Sequence, residues 1–209
     1  MRLAIKRGID ILFALLGLII SAPLLALFMV LIRLTMRTSA IYKQVRPGLN
    51  EGPFTIYKLR TMKDIRDADG NLLPDEERIT RLGYFLRSTS LDELPELINV
   101  LKGDMSIVGP RPLLMEYLDR YSPEQRRRHG MKPGLTGLAQ ISGRNELDWE
   151  KRFELDVWYV DNWSLWLDFK IIARTVAAIL KREGISTYGK ATVPKFTGKQ
   201  GPTNQVNGT

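Results

Sequence analysis

Apolar residues crowd the first sixth of this chain and thin out afterwards. From Ile11 to Ile32 no side chain carries a formal charge, a run of about 22 residues that as a straight helix reaches across a bilayer core. Pro23 falls near its middle, with Gly17, Ser21 and Ala22 just before it. A proline there removes a backbone donor and clashes with the carbonyl four residues back, so the pattern predicts a kinked helix. Basic residues flank the run on both sides, Arg2, Lys6 and Arg7 before it and Arg33, Arg37, Lys43 and Arg46 after it. Positive flanks at both ends place both ends in the cytoplasm. The expectation is a re-entrant helix that enters and leaves one leaflet, with a straight span as the alternative. A cleaved signal peptide fits less well, because the run is long and no small-x-small site follows it.

Beyond the run the periodicity changes. FTIYKLRTM at 54–62 reads as a strand or hairpin arm carrying Lys58 and Arg60. The polar stretch 64–80, with Asp69-Gly70 and Pro74, reads as a surface loop without the EF-hand calcium pattern. Leu94 to Leu101 gives the apolar face of a short helix ending near Gly103. Leu113 to Arg128 predicts an amphipathic helix broken near Pro123. Near the end, Phe169, Ile172, Val176, Ile179 and Leu180 recur at helical spacing, and Lys170 and Arg174 keep that helix from being a second span. Trp149, Trp158, Trp163 and Trp166 precede it, suited either to a headgroup belt or to a core. The stretch after Gly184 is polar and glycine-rich, and 199–209 is expected to be a disordered tail.

Composition narrows the chemistry. The absence of cysteine excludes disulfides and thiolate chemistry, and the single histidine, His129, excludes a histidine metal cluster. His129 is read as a hydrogen-bonded structural residue. Carboxylates, lysines, arginines or a hard metal ion must carry any catalysis. A net charge of +8 calls for an anionic partner: nucleic acid, phosphorylated substrate or anionic membrane. The basic triplet Arg126, Arg127 and Arg128 reads as a solvated helix end, with membrane phosphate contact as the alternative.

The candidate site is SLDELPELINVLKGDMSIVGPRP, from Ser90 to Pro112. Asp92 and Glu93 are adjacent carboxylates, and Arg111 is held between two prolines. Pro95 fits only the first turn of a helix, so a helix start near Asp92 would put both carboxylates at its N-terminus. Simple capping by Asp92 is the competing reading. The loop PGLTGLAQISGRN at 133–145 matches neither a P-loop nor a dinucleotide fingerprint. Ordinary turns account for its glycines, although Arg144 could present a planar fork to a diphosphate.

The motifs KRGIDI, VRPGLN, IYKLRTM, SLDELPELINVLKGDMSIVGPRPLL, KPGLTGLAQISGRN and WEKRFELDVWYV run through nearly the whole chain from Lys6 to about Gly198. On these, the sequence resembles the monotopic bacterial phosphoglycosyl transferases, and within them is most similar to the small enzymes that use N,N′-diacetylbacillosamine. The resemblance implies an α+β, mostly helical fold. Residues 1–36 would form a kinked re-entrant membrane helix, and 37–198 a cytosolic catalytic domain with short strands and interfacial amphipathic helices. It further implies transfer of a phosphosugar from a UDP-sugar to polyprenol phosphate, opening glycoconjugate assembly such as protein glycosylation. The place implied is the cytoplasmic face of the bacterial inner membrane, among anionic lipids and downstream glycosyltransferases, with no nucleic acid. Asp92 would be the nucleophile, Glu93 the ligand of Mg²⁺, and Lys58, Arg87 and Arg111 the phosphate contacts. Gln140 and Arg144 would face the nucleotide, and Asp156 would take a structural or metal-linked role. The family helix is typically broken by adjacent Ser-Pro, whereas here the order is Ser21, Ala22, Pro23; the Ser21 hydroxyl is expected to bond back to the carbonyl of Gly17 or Leu18. A membrane-tethered nucleic-acid module and a non-catalytic anchor of a polysaccharide complex are the competing classes.

Overall fold

The structure is a computed structural model, describing residues 1–143, 147–180 and 195–198. Its chain is mostly helical with two small sheets. The apolar run lies inside helix α1 (Arg2–Met36), 35 residues with Pro23 within it. At roughly 1.5 Å per residue α1 is about 52 Å long. Pro23 removes the helical donor for the Ile19 carbonyl, and just before it the Ser21 hydroxyl donates to a different acceptor, the Gly17 carbonyl, at 2.6 Å. The displaced serine thus still reaches a backbone acceptor inside the apolar run.

Lys6, Asp10, Ala14, Ser21, Phe28, Ile32 and Met36 are the buried residues of α1. Their spacings of four and seven place them on one stripe. Most of the rest is exposed and apolar, including Leu12, Leu16, Ile19, Ile20, Leu27, Val30 and Leu34. The stripe packs against the remainder of the chain from end to end. Lys6 donates to Asp168 at 2.6 Å and to the Val108 carbonyl at 3.1 Å, while Asp10 accepts from the Ser106 hydroxyl and the Ile107 amide. In the middle, Ala14 joins Ile56, Leu97, Val100 and Met105. At the far end Phe28, Ile32 and Met36 join Ala40, Leu59 and Leu86.

Strands β1 (Ile41–Pro47) and β2 (Pro53–Leu59) form an antiparallel hairpin with Tyr42 opposite Lys58, so the 54–62 segment is the hairpin arm that its sequence predicts. A polar loop holding the short helix α2 (Asp75–Arg78) leads to α3 (Arg81–Ser88), capped by Thr80. Next come a 3₁₀ turn, Leu91–Glu93, and α4 (Glu96–Lys102), which Gly103 ends at φ 92°. The carboxylate pair therefore sits in a tight turn one step before α4. The expected start at Asp92 is corrected because Pro95 occupies the N-cap, leaving Glu96 as the acidic residue of the first helical turn.

Strand β3 (Ser106–Val108) runs parallel to β4 (Gly134–Thr136). The pair is close: a Cβ on Gly109 would lie 2.3 Å from the Lys132 carbonyl oxygen, and one on Gly134 would lie 2.1 Å from the Gly109 nitrogen. No larger residue fits either position without moving backbone. Between these strands the predicted amphipathic helix over Leu113–Arg128 is absent. In its place stand a 3₁₀ turn (Met115–Arg120), the one-turn helix α5 (Pro123–Arg126) and a second 3₁₀ turn (Arg127–Gly130). Ser122 forms a capping box with Gln125 and Pro123 follows the cap, which starts a new helix there.

Helix α6 (Leu138–Ile141) follows β4, and α7 (Trp149–Asp161) and α8 (Leu165–Leu180) complete the described chain. Trp149 belongs to an aromatic cluster with Tyr117, Tyr121, Phe153 and Phe196, while Trp158 and Trp166 are exposed. The tail at 199–209 and residues 181–194 lie outside the described residues.

Candidate functional site

Five segments bring their charged side chains together. Lys58 comes from the end of β2, Arg87 from the last turn of α3, Asp92 and Glu93 from the 3₁₀ turn, Glu96 from the start of α4, and Arg111 from the Pro-Arg-Pro segment after β3. Two local devices set this arrangement. Ser90 adopts the left-handed conformation at φ 56°, an unusual state for a residue with a side chain, and this turns the chain abruptly ahead of Asp92. Asn99, fully buried on α4, accepts from the Tyr57 amide at 3.1 Å and donates to the Thr55 carbonyl at 2.6 Å. Its amide stitches α4 to the free edge of β2, bringing the carboxylates opposite Lys58.

Glu93 is the hub. Its Oε1 accepts from Arg111 at 2.6 Å and from Lys58 at 2.8 Å. Burial would raise the Glu93 pKa, yet Arg111 and then Lys58 outweigh it and hold the carboxyl well below the usual range. Glu93 in turn raises Arg111 above the ordinary guanidinium value, and with Glu96 it keeps Lys58 raised against burial. Lys58 Nζ lies 3.0 Å from Glu96 Oε1, close enough for an ion pair. The angle does not satisfy a hydrogen bond, so that buried oxygen has no hydrogen-bond partner.

Asp92 is set apart from Glu93. It is 9% exposed, and burial followed by the neighbouring Glu93 charge pushes it up to about 6, with Lys58, Arg87 and Arg111 only partly offsetting them. The adjacent carboxylates are thereby split: one is an anion locked by two cations, the other a more basic oxygen facing three. Burial similarly pushes Glu96 up to about 7, partly offset by Lys58. A carboxylate placed as Asp92 is can attack an electron-poor centre while its facing cations stabilise the charge that develops. Arg87, meanwhile, donates to the Thr61 hydroxyl at 2.9 Å.

The remaining expected positions divide. Asp156 is buried and pairs with Arg128 at 2.6 Å, and Arg128 also donates to the Arg111 carbonyl at 2.7 Å. Asp156 thus supports Arg111 from two steps away. The basic triplet divides: Arg128 is 2% exposed, whereas Arg126, paired with Glu51, and Arg127, paired with Glu124 and Asp161, keep their side chains open to solvent as a solvated end would. His129 is structural, its Nδ1 donating to the Arg126 carbonyl. Gln140 donates to the Leu135 carbonyl within its own loop, and none of its described bonds reaches Asp92 or Glu93. Arg144 lies outside the described residues.

Glu96 and Asn99 were hidden in the sequence because both look like ordinary positions of an amphipathic helix. The signal for Glu96 was its spacing, three residues after Glu93 and four after Asp92, the distances that bring side chains to one helix face.

Among the described residues no group of three or more His, Asp or Glu side chains is arranged to hold a metal ion. Mg²⁺ is characteristically held by one or two carboxylates together with substrate phosphates and water. A single buried, fully ionised Glu93 with Asp92 beside it fits that sparse donor set.

The sequence comparisons give this arrangement relatives. The bacterial sugar transferase family matches residues 1–182. An uncharacterized sugar transferase of Bacillus subtilis, EpsL, is 54% identical over 93% of this chain and 96% of its own length. The UDP-glucose:undecaprenyl-phosphate glucose-1-phosphate transferase of Caulobacter vibrioides is 44% identical over 84% of this chain and 69% of its own. The undecaprenyl-phosphate galactose phosphotransferase of Salmonella typhimurium is 40% identical over 86% of this chain, which spans only 41% of that longer protein. With the family match running from α1 through α8, the chain belongs to the bacterial sugar transferase family.

Proposed function

We propose that this protein transfers a sugar 1-phosphate from a UDP-sugar to polyprenol phosphate through a phosphosugar carried on Asp92. The observation that carries the reading is the split carboxylate pair, a basic Asp92 facing Lys58, Arg87 and Arg111 beside a Glu93 locked as an anion. An Asp92 oxygen attacks the sugar-proximal phosphorus, and the bond from that phosphorus to the bridging oxygen breaks with its electron pair leaving on UMP. A phosphate oxygen of the polyprenol phosphate then attacks the same phosphorus and returns the carboxylate. One diphosphate replaces another, so no further energy source is required. Anion meets anion in both steps, and the surrounding cations lower that repulsion. Glu93, with the substrate's phosphates, would hold Mg²⁺, which when bound supplies further charge neutralisation.

The packing of α1 supports a monotopic placement with both ends on one side, and the basic flanks of the apolar run favour the cytoplasmic side. Lys6 near one end and Met36 at the other both contact the body that holds the site, so a helix crossing the bilayer between them would pull one set of contacts away. The exposed apolar face of α1 would enter the lipid, with exposed Arg2, Arg33, Arg37 and Lys43 meeting anionic headgroups. Trp166, Phe169, Val176 and Ile179 form an exposed stripe on α8 suited to the interface. Two of the three relatives are named for glucose or galactose transfer and the third for no particular sugar, so UDP-hexoses take precedence over the bacillosamine donor implied by the resemblance.

Asp92→Asn tests the mechanism. In lipid nanodiscs with a panel of UDP-sugars, the variant should stay membrane-bound and release no UMP. Near-normal turnover by Asp92→Asn would remove Asp92 as the carrier.

A further inference from the structure

Among the described residues, two arginines beside the site have no counter-ion within ion-pair distance. Arg46 on β1 donates to the Gln44 side chain through Nη2, but its Nε is buried without any partner. Arg152 on α7 donates from Nε to the Leu147 carbonyl and lies over the Trp149 ring, yet its Nη2 is likewise buried and unpartnered. Both guanidinium groups are lowered from their ordinary value, by burial first and by the Arg111 charge second. The Arg111 charge thus acts on both, and of the three arginines only Arg111 has, among the described residues, a carboxylate within ion-pair distance. Arg126, Arg127 and Arg128, a short way along the chain, are all matched to acids. Buried donors left open beside like charges constitute a standing cost that a bound anion removes.

Position selects the anion. Arg87, across the site, sits on α3, whose Phe85 packs against Phe28 of α1. That flank is one of those α1 packs against. Arg46 and Arg152 make no described contact with α1, and Arg152 lies over the Trp149 ring of the Tyr117–Trp149 aromatic pair. A lipid-linked phosphate is carried in along α1, which leaves donors without α1 contacts to the soluble nucleotide.

We propose that Arg46 and Arg152, together with Arg111, form a cradle remote from α1 that grips the nucleotide-side phosphate of the UDP-sugar and holds UMP as it leaves. The assignment rests on the phosphosugar-transfer reading above. Breakage of the bridging bond leaves a new negative charge on the UMP phosphate, and the cradle is where unsatisfied donors can receive it.

Binding of UMP is measured by calorimetry on the full-length protein in nanodiscs, with uridine and inorganic phosphate as partial ligands. Arg46→Gln and Arg152→Gln should each weaken UMP about tenfold, the scale of one charged hydrogen bond. Uridine affinity and the KM for polyprenol phosphate should not move, inorganic phosphate should weaken in parallel with UMP, and Arg46→Lys should recover part of the loss. UMP affinity within twofold of the parent in both glutamine variants overturns the cradle. So does a loss that falls on the KM for polyprenol phosphate alone, which would give the arginines to the lipid acceptor. Turnover of the parent separates this from the reaction itself: a protein that releases UMP yet binds it equally well after both substitutions defeats only the cradle. Absence of UMP release from every UDP-sugar defeats the reaction and the cradle with it.

Discussion

The single histidine offers a quantitative test of how the base of the site is built. His129 is 6% exposed, and burial followed by the Arg128 charge pushes it down from 6.5 to about 4. A carbonyl can only accept, so the bond to Arg126 fixes the ring proton on Nδ1 and leaves Nε2 buried with no partner. Protonating Nε2 would bury a second cation beside Arg128, with Glu51 at 3.8 Å as a distant counter-charge. Since the folded value lies below the unfolded one, the folded state binds fewer protons. The stability gained from a neutral His129 is thus complete above pH 6.5 and lost as pH falls toward 4. At about 1.4 kcal/mol per pH unit, the drop between pH 7 and pH 4.5 is about 2 kcal/mol. Asp92 and Glu96, both raised, contribute with the opposite sign in the same window, so the comparison is made against His129→Gln, whose amide can keep the bond to Arg126. Urea unfolding of both proteins, followed by tryptophan fluorescence at the two pH values, should show the parent's advantage shrinking by about 2 kcal/mol on acidification. Parallel pH dependences, within about 0.5 kcal/mol, would refute a buried neutral His129.

Two further predictions concern the supports of the charged side chains. Asp156→Asn leaves the Arg128 charge buried without its counter-ion, and should cost about 3–5 kcal/mol and lower Tm by roughly 10 °C in a nanodisc melt. An unchanged Tm would show that Arg128 draws its support elsewhere. Gly83→Ala puts a Cβ 1.8 Å from the Thr61 carbonyl oxygen, so α3 must move away from the strand end where Arg87 meets Thr61. It should cost about 1–3 kcal/mol and slow UMP release, and a variant with parental stability and rate would contradict the close approach.

The parts of the site that can be read from sequence are those under local constraint. Asp92, Glu93 and Arg111 stand out because adjacent acids and a proline-bracketed arginine have few uses in an ordinary helix or loop. Lys58 and Arg87 enter the site only through the family resemblance, whereas the end of α4 follows from Gly103. Glu96, Asn99 and Arg46 escape such reading because their roles exist only across segments: Asn99 joins α4 to β2, and Arg46 matters through Arg111 at the far end of another loop. Leu113–Arg128 misleads for a related reason. Its apolar periodicity is genuine, but Pro123 and the Ser122 cap restart the helix, and Arg128 is drawn inward by Asp156.

The ion pair between Lys6 and Asp168 joins residues 162 positions apart. At roughly 5–20 residues per second, translation separates the two by about 8–30 s. During that interval α1 has left the ribosome while the partner of its buried lysine has yet to be made, and Asp10 likewise awaits Ser106 and Ile107. With α1 in the lipid as proposed, the nascent helix waits there with its basic end in water until α8 is made and meets it. Biogenesis is completed by docking at the membrane surface, so premature termination before α8 would yield an inserted helix without its closing ion pair, a species for quality-control proteases to remove.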